Sequence, residues 1–106
     1  MSENILSQEQ IEILQSWGIS FNTSSPGIFE ILSKLPRYKK YLDSDGVKHI
    51  IQLRIIFGSQ SSLMQAEFSY YDITIGQEKE LYVSLGNNDI LTEAYETLLW
   101  ALENKL

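Results

Sequence analysis

The chain has no cysteine among its 106 residues, a single histidine and only two prolines. Without cysteine there is no disulfide, no thiolate metal site and no thiol nucleophile, so the fold must rest on its apolar core. One imidazole leaves the common zinc ligand sets incomplete. A hydrolytic triad would have to form around His49, whose sequence neighbours supply no orienting carboxylate or nucleophile. His49 is therefore read as a surface or strand-edge residue, and no catalytic residue, cofactor or metal ligand is expected. Basic residues are also scarce. Eight Lys and Arg against fourteen Asp and Glu give a formal charge of −6, which disfavours nucleic acid as a partner because phosphate contacts dominate that affinity.

Long apolar runs are missing as well. No stretch approaches the roughly 18 apolar residues of a membrane span, and Met1-Ser2-Glu3-Asn4 lacks the basic start of a secretory signal. These absences lead to an expectation of a cytoplasmic, acidic protein with no membrane partner. No internal repeat or low-complexity segment occurs. The glycines are isolated at turns rather than gathered into a phosphate-binding loop.

What the chain does contain is a 43% apolar content, enough for one small α+β domain over residues 1–106. Ser7 and Gln10 form a capping box, with Leu6 and Ile11 as a hydrophobic staple, for a helix over Gln8 to Trp17 ended by Gly18. Ile11, Ile13, Leu14 and Trp17 form its apolar sector. A second helix is expected with Ser25 as cap, Pro26 in its first turn, and Ile28, Phe29, Ile31, Leu32 and Leu35 facing the core, stopped by Pro36. Residues 37–42 read equally as a further turn or an extended linker. Asp43-Ser44-Asp45-Gly46 is a turn, without the twelve-residue pattern of a calcium loop.

Alternation then predicts strands. Over Val47 to Phe57, Ile51, Leu53, Ile55 and Phe57 share one face, while Ile50 and Ile56 lie with Gln52 and Arg54 on the other. After a loop at 58–62, Leu63 to Asp72 puts Met64, Ala66, Phe68 and Tyr70 inward. The apolar phase then passes to Tyr71, Ile73 and Ile75, as a bulge or a strand end would produce. A further strand places Leu81, Val83 and Leu85 inward, against Glu80, Tyr82 and Ser84 outward. Asn87-Asn88-Asp89 closes the loop and caps a last helix with Leu91, Ala94, Tyr95, Leu98 and Leu102 on its core stripe. The fold class is therefore α+β: two N-terminal helices, a three- or four-stranded antiparallel sheet, and a C-terminal helix on one sheet face.

Trp100 falls nearly opposite that last stripe, in the sector of Glu93, Glu96 and Glu103. Together with Tyr82, Tyr71, Ile50 and Ile56, it is expected to form a protein interface, since large rings on outer faces bury much area with few rotors. Charge is uneven too: residues 34–54 carry a local excess of +4 and residues 55–106 carry −6, a separation able to orient a partner. The reading is a small non-enzymatic protein-binding or assembly module that self-associates as a homodimer. The alternative is an acidic inhibitor or immunity-type protein, host- or phage-encoded, that blocks a basic or nucleic-acid-binding partner.

Overall fold

Ser7 starts the first helix as its sequence implies. In the computed structural model, the Ser7 hydroxyl accepts from the Gln10 amide at 3.2 Å, and the Gln10 side chain accepts from the Ser7 amide at 2.9 Å. The structure describes residues 5–60, 63–74, 76–84 and 89–106, with side chains described for all of these except 57–60 and 63–65. Expectations for the side chains of Phe57 and Met64, and those that fall on residues 61–62, Ile75 or 85–88, lie outside what is described, while residues 58–60 of the expected loop are instead strand.

The elements are α1 (Gln8–Ser16), α2 (Ile28–Lys34), β1 (Tyr38–Leu42), β2 (Lys48–Gln60), β3 (Leu63–Thr74), β4 (Gln77–Val83) and α3 (Ile90–Glu103). The strands form one antiparallel sheet in the order β1-β2-β3-β4, so every neighbour in sequence is a neighbour in space. The ambiguous segment after Pro36 is thus the first strand, pairing Tyr38 with Gln52 and Leu42 with Lys48. Residues 73 and 74 do not form a separate strand; they continue β3, paired with Glu78 and Gln77. With 13 residues, β2 runs well past β1, and the molecule measures 50 × 36 × 17 Å.

Two helical assignments need correction. The second helix begins at Ile28 with Gly27 as its cap residue and no side-chain cap. Pro26 instead lends its carbonyl to the Leu6 amide at 2.9 Å, beside an isolated bridge between Ile5 and Gly27. Phe29, assigned to the core, is 84% exposed. Ile28, Ile31, Leu32 and Leu35 already fill the inward arc, and the residue after Ile28 is turned about 100° away from it. In α1, Ile11 and Leu14 are buried while Ile13 and Trp17 are exposed, because only the narrower part of the predicted sector meets the core.

The strand phase also differs. Tyr70 pairs with Tyr82 and Tyr71 with Glu80, so the register shifts there and Leu81 is the extra residue. The irregularity lies on β4 rather than as a phase change within β3. Alternation in β3 therefore continues unbroken: Phe68 and Tyr70 face the helices, and Tyr71 and Ile73 face the other way. Beyond the bulge, Tyr82 and Ser84 point inward and Val83 is exposed, the reverse of the expectation.

Helix α3 starts at Asp89, whose carboxylate accepts from the Thr92 amide at 2.8 Å. It is wrapped on two sides. Leu91, Ala94, Tyr95 and Leu98 join Leu6, Ile11, Leu14, Ile31, Leu35 and Phe68 in the main core. Ala101 and Trp100 join Ile51, Tyr70, Leu81 and Tyr82 in a second cluster against the sheet. Glu93, in the sector assigned to Trp100, is buried, as is Thr97. No described helix is long and apolar enough to cross a membrane.

Candidate functional site

Strict alternation along β2 and β3 divides the sheet into a face under the helices and a face without them. On the second face the cross-strand rows follow from the register. One row runs Lys40, Ile50, Ile73, Glu78 across all four strands, and the next runs Tyr38, Gln52, Tyr71, Glu80. Arg54, Ser69 and Val83 follow, then Ile56 with Glu67. None of Ile50, Ile56, Tyr71 or Ile73 belongs to either apolar cluster of the described residues. Ile56 is 60% exposed, and a cavity of about 330 Å³ lined by Lys48, Ile50, Ile73, Thr74 and Gly76 opens on this face.

Polar contacts cross the same surface. The Arg54 guanidinium lies 4.3 Å from the Tyr71 ring centroid and donates to Glu78, while the Tyr71 hydroxyl donates to Glu80 at 3.2 Å. At the opposite edge the Lys40 ammonium sits 5.5 Å from the Tyr38 ring. The face thus carries Lys40 between Tyr38 and Leu42 on β1, isoleucines and Tyr71 beside Lys48 and Arg54 in the middle, and Glu78 and Glu80 on β4.

The five residues expected at an interface separate into two groups. Ile50, Ile56 and Tyr71 lie on the helix-free face. Tyr82 and Trp100 lie on the helix-covered side: the Trp100 indole stacks on Tyr70 at 5.3 Å and on Tyr82 at 5.0 Å. The expectation that this ring points away from its own domain is therefore corrected. Its sector looked solvated because it carries Glu93 and Glu96, but α3 has a second neighbour, the sheet, and that neighbour takes the ring. Ile73 joins Ile50 in the middle of the open face and was missed, because the apolar phase change after Tyr70 suggested an inward turn.

Tyr38 points to the open face and Tyr41 to the covered one, where its ring stacks on His49 at 4.8 Å and 8°. Lys39 donates to the Lys105 carbonyl at 2.7 Å, fastening β1 to the end of the chain.

Sequence reasoning also missed the surroundings of His49. Its Nε2 lies 2.8 Å from an Asp43 carboxylate oxygen and its Nδ1 lies 2.8 Å from an Asp72 oxygen. The other Asp43 oxygen accepts from the amides of Asp45 and Val47 at 2.8 and 2.9 Å. The ring thus clips the β1–β2 turn to β3. Its partners are six and twenty-three residues away in sequence, and only the strand register brings them together. The legible signal was that Asp72 shares a strand face with Tyr70. With both nitrogens against carboxylates, the doubly protonated imidazolium suits the arrangement, and no ring nitrogen is left to take a proton from a substrate.

Hydrogen bonding to Asp43, then to Asp72, raises the His49 pKa above its usual value of 6.5. Hydrogen bonding to His49, then to the Val47 amide, lowers that of Asp43 below 3.8. The stabilisation from His49 is complete below pH 6.5 and is lost as pH rises through the raised folded-state value. That from Asp43 is complete above pH 3.8 and is lost as pH falls through its lowered value. The clip is expected to contribute most between those limits. A urea-midpoint series across pH should show a loss on the alkaline side that His49→Gln removes. The single imidazole makes its own titration directly readable by NMR.

No family model, curated protein or solved structure matches this chain. Its functional reading rests on its own geometry.

Proposed function

We propose that this chain is a small, non-enzymatic protein-binding or assembly module that self-associates through the helix-free face of its sheet. The carrying observation is the placement of Ile50, Ile73, Tyr71 and Ile56 on a face that none of the described helices packs against. A sheet with one apolar face under helices commonly leaves its other face polar. Here the central positions of one four-strand row are isoleucines, and those of the other are Gln52 and Tyr71. The four strands, of 5, 13, 12 and 7 residues, cover roughly 600 Å² at about 3.4 Å per residue and 4.8 Å between strands, the small end of the range for a specific interface.

A non-enzymatic role is favoured by the engagement of His49 on both sides, which makes it a clip rather than a base. An acidic inhibitor has less behind it, because the carboxylates are dispersed. Glu78 and Glu80 lie on the open face, Glu9 and Glu12 line a cavity beside α1, and Glu93 is buried.

Sedimentation equilibrium over a wide concentration range tests the proposal. The expected result is a concentration-dependent dimer that Ile50→Glu with Ile73→Glu converts to a folded monomer. A wild-type chain that stays monomeric throughout would end the self-association reading.

A further inference from the structure

We infer that two copies meet face to face about a twofold axis running along the strands between β2 and β3, with the basic β1 edge of each copy over the acidic β4 edge of the other. This inference rests on the self-association proposed above and specifies its geometry.

The argument is in the row order. Across the sheet, Lys40, Ile50, Ile73 and Glu78 occupy successive strands on the open face. A rotation about an axis parallel to the strands reverses that order in the second copy. Lys40 then lies over Glu78, and Ile50 over Ile73, with the same contacts repeated on the other side of the axis. The row is complementary to its own reverse, which is what an isologous interface requires. Lys48, one row on and beside Ile50, comes within reach of the same acidic edge. The cavity of about 330 Å³ between Lys48, Ile50 and Ile73 lies beside the axis, where an isoleucine of the second copy would enter it.

Face-to-face sheets can also be related by a twofold axis perpendicular to the strands. That arrangement places β1 over β1 and β4 over β4, so Lys40 has no carboxylate opposite it and Glu78 faces Glu78 or Glu80 of the other copy. Like charges facing each other in a partly dehydrated interface are unfavourable. The strands of packed sheets are rotated by about 30°, which offsets individual pairs without changing which edge meets which. Arg54 already holds Glu78 within each copy, so the acidic edge is anchored before a second copy arrives.

Charge reversal tests the axis. Two double variants are needed, Lys40→Glu with Lys48→Glu, and Glu78→Lys with Glu80→Lys, each assayed alone and as an equimolar mixture by sedimentation and native mass spectrometry. Each variant alone should dimerise at least about tenfold more weakly than wild type, equivalent to about 1.4 kcal/mol. The mixture should form a heterodimer of near wild-type strength, because both of its edge pairings become complementary. Thermal melts establish that each variant is folded. If breaking the Arg54 pair unfolds the second variant, the lysine-reversed variant titrated against the wild-type chain tests the axis with that pair intact, and should bind it more weakly than wild type binds itself.

A monomeric wild type would overturn the self-association reading itself. A dimeric wild type with variants of undiminished affinity would overturn only the axis. So would a lysine-reversed variant that binds the wild-type chain more tightly than the wild-type chain binds itself, since only β1 lying over β1 would replace a lysine–lysine pairing by a glutamate–lysine one.

Discussion

Replacing Phe68 with alanine is expected to lower the unfolding free energy by about 3–5 kcal/mol, among the largest effects of any single truncation in this chain. Phe68 is fully buried on β3, in a cluster that draws Leu14 from α1, Ile31 from α2 and Leu98 from α3. It is the ring on which the helical layer meets the sheet, so its removal leaves a void bordered by every layer of the fold. Its backbone amide also donates to the Ser84 hydroxyl at 3.0 Å, and its carbonyl accepts from the Ser84 amide at 2.8 Å. These bonds survive truncation, which confines the loss to packing. Against a typical total of about 5–15 kcal/mol for a domain, the variant should stand near the limit of folding. Urea unfolding provides the measurement, with a lowered midpoint at unchanged slope. Phe29→Ala supplies the contrast: an 84% exposed ring should cost no more than about 0.5 kcal/mol. Equal shifts for the two phenylalanines would mean that the core had been placed wrongly.

The same pair shows what local pattern can and cannot reveal. Both phenylalanines fall at positions a periodic apolar pattern assigns to the core, and composition makes them equivalent. Ser7 with Gln10, and Asp89 before the last helix, were legible because a cap bonds to a backbone amide three residues away. The inward phase of Ala66, Phe68 and Tyr70 was legible because alternation needs only neighbours. Phe29 was not, since its exposure depends on which arc of a seven-residue helix meets α3. Strand β1 was hidden for a related reason. Its five residues are mostly exposed on both faces, so it carries no hydrophobic alternation and exists through pairing with β2.

The candidate site was legible to the extent that strand alternation governs it. Ile50, Ile56 and Tyr71 lie on the outer face because β2 and β3 are regular there. Tyr82 changed faces through one extra residue at Leu81, and a one-residue shift inverts every side chain beyond it. The His49 clip depends on register between strands, which an isolated stretch of sequence does not encode.

Trp100 offers the second large effect, and its direction separates two views of the last helix. The indole is sandwiched by Tyr70 and Tyr82, and each aromatic pair adds about 0.5–1.5 kcal/mol beyond area alone. Tyr70 is itself held, its hydroxyl donating to the Pro36 carbonyl at 2.7 Å, and burial pushes its phenol well above the ordinary range. Tyr82 is tied to α3 by the Thr97 hydroxyl at 3.3 Å. Removing the indole therefore loosens the joint between α3 and the far side of the sheet. Trp100→Ala should cost about 3 kcal/mol, at the low end for a tryptophan because the ring is only half-buried. Trp100→Glu should cost more, because a carboxylate between two tyrosine rings loses hydration without gaining a cationic partner. Denaturation monitored by circular dichroism measures both, and a Trp17→Phe background leaves Trp100 as the only indole emitter, reporting local loosening. A ring serving only an intermolecular contact would behave differently, since Trp100→Glu would then give a monomer melting like wild type. That result would mean that the stacked rings do not hold α3 to the sheet. A destabilised chain that still dimerises when folded would instead place the joint inside each copy and leave association to the opposite face.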